Sequence, residues 1–465
     1  FSNEPTARDT PSQVSMDPAS LGLSVNKDDV PSVVYHFSKP SINEAGSSSQ
    51  YVSVVVDDCF QYGDTGNPIL PYRTVKIAIP PRRQFENLSV VCERETILPG
   101  SYLVDYGREN APLSMIESQS SEVTSSPNQT VYGSIEPFPG TLYSQFSIQR
   151  KMGYDIVLLD LYPVRYVPKT GQLSCYESIR VEVQTARVEE TEPYPSLSSL
   201  QYKTLESAVD NPDAIKYTST SEPTSTYQYV IITNEEMNNT SGPYNLKALR
   251  DDKISRGISA KIVTTEWIYA NYNGTRPDGQ ADDQTKIRNF IIDAYRNWGT
   301  IYVLLAGDDQ IIPHRGFYVD AGNYIDYDIP ADVYYSCLDG TFDYNHNGIY
   351  GEPNDGPNGG EVDLLAEVYV GRACVDSQPQ VQNFARKTLS YQSTANTQDL
   401  KKVCMVGENL GFGGIADWGG NYKDEIKYGS NSHGYNTTGF MNSAWSNLVN
   451  LSTLYDRDYP GHNWP

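Results

Sequence analysis

The sequence predicts an all-β sandwich followed by an α/β unit with a mainly parallel sheet. Three observations carry that expectation. At 465 residues the chain is too long for one core, so two or three domains are expected. Between residues 51 and 186 apolar residues alternate, or run in short blocks between turn residues, with no amphipathic helix among them. From residue 226 onward, short apolar blocks alternate with segments of helical period.

Residues 1–50 are rich in Ser, Pro, Asn and Asp and read as an irregular lead-in. YVSVVVDD (51–58) is a short apolar strand, and TVKIAIPP (74–81) puts Val75, Ile77 and Ile79 on one face. YDIVLLDLYPVRYVPKTGQLSCYESIRVEV (154–183) contains two or three strands, with Lys169-Thr170-Gly171 as a hairpin turn and Pro163 and Pro168 at strand ends. This 51–186 stretch is the predicted sandwich. Residues 187–225 shift to Glu, Pro, Ser and Thr, a linker composition open to proteases, with room for a short helix within 197–210.

The α/β part begins with TYQYVIITNEEM (226–237), a buried type of strand. YNLKALRDDKISRG is a helix ended by Gly257, and ISAKIVTTEWIY reads as the next strand. KIRNFIIDAYRNWG aligns Ile287, Phe290, Ile291, Ala294, Tyr295 and Trp298 in one stripe, with Gly299 as the stop. IYVLLAGDD and EVYVGR are further strands, PQVQNFARKTLSYQS a helix, and LKKVCMVGEN opens a new strand. Right-handed crossovers between parallel strands put Asn234, Asp308 and Asp309 along one carboxyl edge, the usual place for a site.

The charge balance of 35 Lys+Arg against 58 Asp+Glu gives −23, which repels phosphate backbones and anionic lipid. Nucleic acid is therefore excluded as a partner, and no apolar run reaches the ~18 residues of a membrane span. The chain starts at Phe1 with a polar, Pro-rich segment, as if a signal sequence had been removed. Seven Asn-x-Ser/Thr sequons, at Asn87, Asn128, Asn238, Asn239, Asn273, Asn436 and Asn450, fit a glycosylated protein that is secreted or held at the cell surface. Six cysteines form no CxxC pair.

DYNHNGIYGE (343–352) sets Asp343, Asn345 and Asn347 on alternate positions before Gly348. With the Ile349 carbonyl and Glu352, they offer the oxygen cradle of a hard cation, so structural calcium is expected; the competing reading is a polar Asn-Gly turn. The loop departs from an EF-hand because its Glu stands at the tenth position. Asp308 and Asp309 either order the sheet edge or are solvated turn acids, and His314 reads as a satisfied loop residue. The remaining histidines lack zinc-ligand spacing. Cys404 reads as a buried strand residue, and Cys374 follows EVYVGR without a catalytic setting. G-x-S-x-G, P-loop and dinucleotide fingerprints are absent. The residues alone make no complete catalytic set.

The series YQYVIITNEEM, IYVLLAGDDQIIP, DYNHNGIYGE and EVYVGR followed by a helix resembles the gingipain family of cysteine peptidases. GNPILPYRTVKIAIPP and PVRYVPKTGQLSCYESIRVEV resemble that family's propeptide, a β-sandwich, so the resemblance covers roughly residues 50–460. It implies a secreted zymogen whose catalytic domain has a caspase-like fold of two α/β subdomains. It also implies protein or peptide substrates, structural calcium, and the chain's own prodomain as intramolecular inhibitor. The implied chemistry is thiolate attack on a peptide carbonyl, with a His partner and backbone N–H groups holding the oxyanion. In the family a Glu just before the V-x-[IV]-G-R strand sits near the Cys/His dyad, and the match is Glu367; the bland alternative is a strand-edge carboxylate paired with a neighbour.

One departure is large. The family's Gly-His-Gly stretch and later Cys have no match before the chain stops at STLYDRDYPGHNWP, and His462, followed by Asn, is not given the catalytic role. The expected parts are therefore the prodomain, a first subdomain (226–395) and the start of a truncated second one (396–465), with the dyad beyond residue 465. The rival expectation is an inactive, peptidase-derived surface or assembly protein, which the missing dyad, the sequons and the 36 Tyr favour.

Overall fold

A computed structural model describes residues 30–45, 50–107, 126–144, 146–188, 197, 199–215, 226–320, 325–357, 360–393, 398–410, 418–430, 437–441, 446–459 and 461. The N-terminal unit runs β1 (Ser32–His36), β2 (Ser41–Glu44), β3 (Val52–Val55), β4 (Phe60–Tyr62), β5 (Leu70–Ala78), β6 (Arg83–Ile97), α1 (Gln129–Tyr132), β7 (Ser147–Lys151), β8 (Tyr154–Leu161), β9 (Val164–Val167), β10 (Gln172–Arg187) and α2 (Ser199–Glu206). One antiparallel sheet has the order β1-β10-β6, with β9 also on β10; a second has the order β4-β5-β8-β7. Alternation directs Val75, Ile77 and Val157 of one sheet and Ile179, Val181 and Val183 of the other into a shared core. Each such side chain contributes about 1.5–3 kcal/mol by leaving water. Lys169-Thr170-Gly171 turns β9 into β10, with Gly171 at φ +70°.

Two stretches differ from the sequence reading. Ser32–His36 and Ser41–Glu44 lie in the expected irregular lead-in yet form β1 and β2, because SVVYH finds a full ladder on β10 and buries Tyr35, and SINE pairs with β3. In the middle of the expected linker, α2 and the residues after it lie on the N-terminal unit. Leu197, Leu205, Val209 and Ile215 are buried there against Ala78, Tyr154 and Ile156. Its polar composition hid four apolar anchors.

The α/β unit continues with β11 (Tyr229–Thr233), α3 (Glu235–Asn238), α4 (Leu246–Ser255), β12 (Ala260–Thr264), α5 (Thr265–Asn271), α6 (Asp283–Asp293), β13 (Tyr302–Ala306), β14 (Gly316–Asp320), β15 (Ile325–Pro330), α7 (Val333–Ser336), β16 (Tyr369–Ala373) and α8 (Gln378–Ser393). The strands β12-β11-β13-β16 form one parallel sheet. Val230, Ile232, Val303 and Leu305 face the side covered by Phe290 and Ile291 of α6; Ile231 and Leu304 face Leu246 of α4 and Val381 of α8. Each strand is thus apolar on both faces, which explains the continuous apolar blocks. Side chains of Asn234, Asn245 and Asp282 cap α3, α4 and α6. Gly257 and Gly299 stand past the helices at positive φ. The run ISAKIVTTEWIY is corrected: its strand ends at Thr264, whose hydroxyl caps α5, and TEWIY is helical.

Beyond them, β17 (Lys402–Gly407) and β20 (Asn450–Tyr455) pair in parallel, with α9 (Gly419–Tyr428) and the short pair β18 (Gly429–Ser430) and β19 (Thr437–Thr438) between them in sequence. Cys404 is exposed rather than buried, because β17 has only β20 beside it among the described residues. No helix among the described residues is long and apolar enough to cross a membrane.

One buried cation ties α6 to α7 and the turn that follows it. Arg288 of α6 donates to the carbonyls of Tyr334, Cys337, Asp339 and Gly340, closing the end of α7 and the turn after it. Arg288→Met strands those carbonyls at about 1–3 kcal/mol per group left unpaired. Urea unfolding of the variant is expected to show a loss of about 3 kcal/mol or more; a loss below about 1 kcal/mol would contradict this role.

Candidate functional site

The residues between Gly360 and β16 receive the end of the β7–β8 hairpin. Lys151 pairs with Tyr154, so Met152 and Gly153 form a two-residue turn with φ of +51° and +82°. Positive φ at both central residues is what a tight hairpin of matching twist requires, and Met152 is the unusual occupant. Gln149 Nε2 donates to the Val362 carbonyl (3.4 Å), and Arg150 N–H to Asp363 Oδ2 (3.1 Å). Lys151 Nζ donates to the Ala366 carbonyl, and Met152 N–H to Glu367 Oε1 (3.3 Å). Four consecutive residues of the N-terminal unit thus bond to residues 362–367.

Glu367 is 4% exposed. Its second oxygen accepts the Leu338 N–H at 2.7 Å. Burial, followed by the neighbouring Asp339 and Asp363, pushes its carboxyl up to about 8, and the two N–H donors offset only part of that. Burial likewise raises Asp363 to about 6, against the N–H groups of Leu365 and Arg150. Asp339 is raised by burial too, with Arg150, Arg288 and Arg296 pulling the other way. Two buried carboxyls, Asp363 and Glu367, with the partly buried Asp339 acting on both, therefore stand where the N-terminal unit meets the α/β unit. Burial and the neighbouring carboxyls thus favour the protonated form of Glu367.

The parallel register fixes where these carboxyls lie. Tyr369 pairs with Tyr302, so Glu367, two residues earlier, stands at the amino-terminal edge of the sheet. Asn234, Asp308 and Asp309 follow the strands and stand at the opposite edge, with Asp308 eight residues, about 26 Å, along the strand direction from the level of Glu367. The structure does not bring Glu367 together with them. Asn234 caps α3, and Asp308 Oδ1 accepts the Gln310 N–H. Asp309 accepts from the His314 N–H and touches its ring, whose other nitrogen meets Asp328 at 3.1 Å. Burial lowers the His314 pKa, but the two carboxylates outweigh it, so the imidazole is raised overall. Arg372, which ends the VGR run, makes two 2.7 Å bonds to Asp332 and donates to the carbonyls of Gly307 and Ile312. This edge is ordered by caps and ion pairs, and His314 is a satisfied loop residue. His462 lies outside the described residues.

The 343–352 loop is closed by its own hydrogen bonds. Fully buried Asp343 accepts from the Asn347 N–H (2.9 Å) and the Gly348 N–H (3.2 Å). Asn345 Oδ1 accepts from Asn347 N–H, and Asn347 Oδ1 from Ile349 N–H. Glu352 Oε2 receives both amide groups, at 3.1 and 2.9 Å. Gly348 has φ +78°, which the bend demands. Asp355, which the sequence pattern did not single out, binds the N–H groups of Tyr344 and Asn345. Among the described residues no three His, Cys, Asp or Glu side chains gather in a metal-holding group.

Met152, Asp339 and Asp363 were also missed. A Lys-Met-Gly turn between alternating strands is readable as a hairpin, but its partner some 215 residues away leaves no local signal.

The Peptidase family C25 model matches residues 222–463, just over half of the chain, and the Propeptide_C25 model matches residues 12–196. No curated protein matches. Among solved structures, a complex of Porphyromonas gingivalis RgpB pro- and mature domains is similar at 18% identity, over 42% of this chain and 96% of that one, with a TM-score of 0.30. A structure concerned with zymogenic latency of gingipain K from Porphyromonas gingivalis is similar at 18% identity, over 34% and 88%, with a TM-score of 0.29. The matches to both family models, one after the other along a single polypeptide, place the chain in Peptidase family C25 as a gingipain-like cysteine peptidase precursor with its propeptide.

Proposed function

We propose that the chain is the amino-terminal portion of a secreted zymogen that hydrolyses peptide bonds with a Cys/His dyad supplied beyond residue 465. The two packed sheets of the N-terminal unit, residues 51–186 together with β1, act as a β-sandwich prodomain and intramolecular inhibitor. Residues 226–395 are the first subdomain of a caspase-like catalytic domain, and 396–465 begin the second. The observation that carries this reading is the hydrogen-bonded insertion of Gln149–Met152 against residues 362–367, ending on the buried Glu367. Exposure of Asn87, Asn239, Asn273 and Asn450 supports the glycosylated, secreted state. A place for Glu367 beside the dyad, as the gingipain resemblance implies, asks the dyad to approach the amino-terminal edge of the sheet. The geometry favours Glu367 as the carboxyl that the prodomain keeps buried.

Incubating the full precursor is expected to release fragments that start within 187–225 and to unmask a peptidase activity that thiol alkylation abolishes. Hydrolysis that survives alkylation, or fragments that never start in that segment, would overturn the reading.

Calcium fits the 343–352 loop because every donor there is oxygen and the bend is already made. Asp343, Asn345, Asn347, the Ile349 carbonyl and Glu352 would hold the ion, which would supply positive charge in place of the loop's own hydrogen bonds. Adding calcium to chelated protein is expected to raise the Tm by several degrees, about what 1–2 kcal/mol of binding linkage gives, and Asp343→Asn to remove the rise. An unchanged Tm counts against the ion.

The buried carboxyls give prodomain retention a pH dependence. Once the prodomain leaves, water returns Glu367 toward the ordinary carboxylate range, so the closed state binds its proton more tightly. That contribution is full below the ordinary pKa and is lost as pH rises through about 8. Raised Asp363 and Asp339 act in the same direction, while Arg150 and Lys151 of the hairpin oppose them. In linker-cut protein the prodomain is expected to dissociate about 10-fold faster at pH 9 than at pH 6, with Glu367→Gln flattening the difference. Equal rates at both pH values would refute the coupling.

A further inference from the structure

The 197–215 segment does more than connect the two units. Asp210 and Asn211 complete the open edge of β5: Asp210 N–H donates to the Lys76 carbonyl, and Asp210 Oδ2 accepts the Lys76 N–H, both at 2.8 Å. Asn211 meets both backbone groups of Ala78, at 2.7 and 2.9 Å. The Tyr35 hydroxyl of the opposite sheet also donates to Asp210, at 2.9 Å. Buried Leu197, Leu205, Val209 and Ile215 share a cluster with Met152 of the inserted turn and with Tyr154 just after it, and Leu365 of the α/β unit joins the same cluster. The segment is therefore a strap beside the turn end of the hairpin that reaches Glu367.

We propose that this strap decides which chain cuts free the N-terminal unit. The inference rests on the zymogen reading and adds a rule to it. Hydrolysis of one peptide bond, with water giving a new carboxylate and a new amine, separates the units only according to which side keeps the strap. After a cut before Leu197, the strap stays covalently part of the α/β unit, and its whole buried face becomes a non-covalent hold on the N-terminal unit. After a cut beyond Ile215, the strap leaves with the N-terminal unit, and among the described residues the hold that remains is the hairpin insertion and the Leu365 contact. The same contacts thus act as a clamp in one case and as internal folding energy in the other. Cutting before the strap leaves the precursor latent; cutting after it releases the inhibitor.

The test uses the full precursor with a recognition sequence for a site-specific protease inserted either after Val188 or after Ile215. Following each cut, the dissociation rate of the tagged N-terminal unit and the peptidase activity are recorded on the same sample. Dissociation is expected to be at least about 30-fold slower for the cut after Val188, given the four apolar side chains and the paired strand edge that the strap contributes. Asn211→Ala and Leu205→Ala should each speed release after the Val188 cut and leave the rate after the Ile215 cut within about threefold, because the strap then travels with its own sheet. Rates that agree between the two cuts, or variants that act equally on both, would overturn the clamp while leaving the zymogen reading intact. A retained N-terminal unit that fails to suppress hydrolysis would instead overturn the zymogen reading and leave the clamp standing.

Discussion

The two units of this molecule meet at a buried carboxyl group, that of Glu367. One oxygen takes an N–H from the turn of the N-terminal hairpin, and the other takes one from the loop that leads out of α7. Both units must be correctly folded, and correctly set against each other, for that group to be satisfied. Burial favours the protonated acid, and the two N–H donors offset part of the cost of a charge there. Geometry and protonation are therefore one constraint.

Around that point, the α/β unit is held by cations that work on carbonyls more than on acids. Arg288 collects four carbonyls behind α7, and Arg372 fastens the loop after β13 to Asp332 at the other end of the sheet. Guanidinium suits both tasks because its planar fork serves several acceptors at once and stays charged when buried. The two ends of the sheet consequently have different characters. The carboxyl edge is a network of caps and ion pairs open to solvent, whereas the amino edge carries buried carboxyls where the N-terminal unit meets it.

Much of the fold was legible in the chain. Continuous apolar blocks at 229–233 and 302–306 announced strands buried on both faces, and Gly257 marked the end of a helix where capping chemistry says it should. The departures have local physical causes. Thr264 turned an apolar run from strand to helix by capping it, and β1 escaped notice because its ladder partner lies about 145 residues away. The loop at 343–352 was found because its residues are neighbours in sequence. The acidic cluster was not, because Asp339, Asp363, Glu367 and Met152 come from separated segments.

What the sequence by itself determined is the order of an all-β and an α/β part, the family, and the oxygen-rich loop, since periodicity, turn chemistry and short motifs are local properties. What only the tertiary structure decided is the docking of one part on the other: the favoured protonation of Glu367, its place at the amino edge of the sheet, and the strap laid over β5. Those depend on water being excluded where distant segments meet, and desolvation is set by the packed neighbours in space, which no local pattern records.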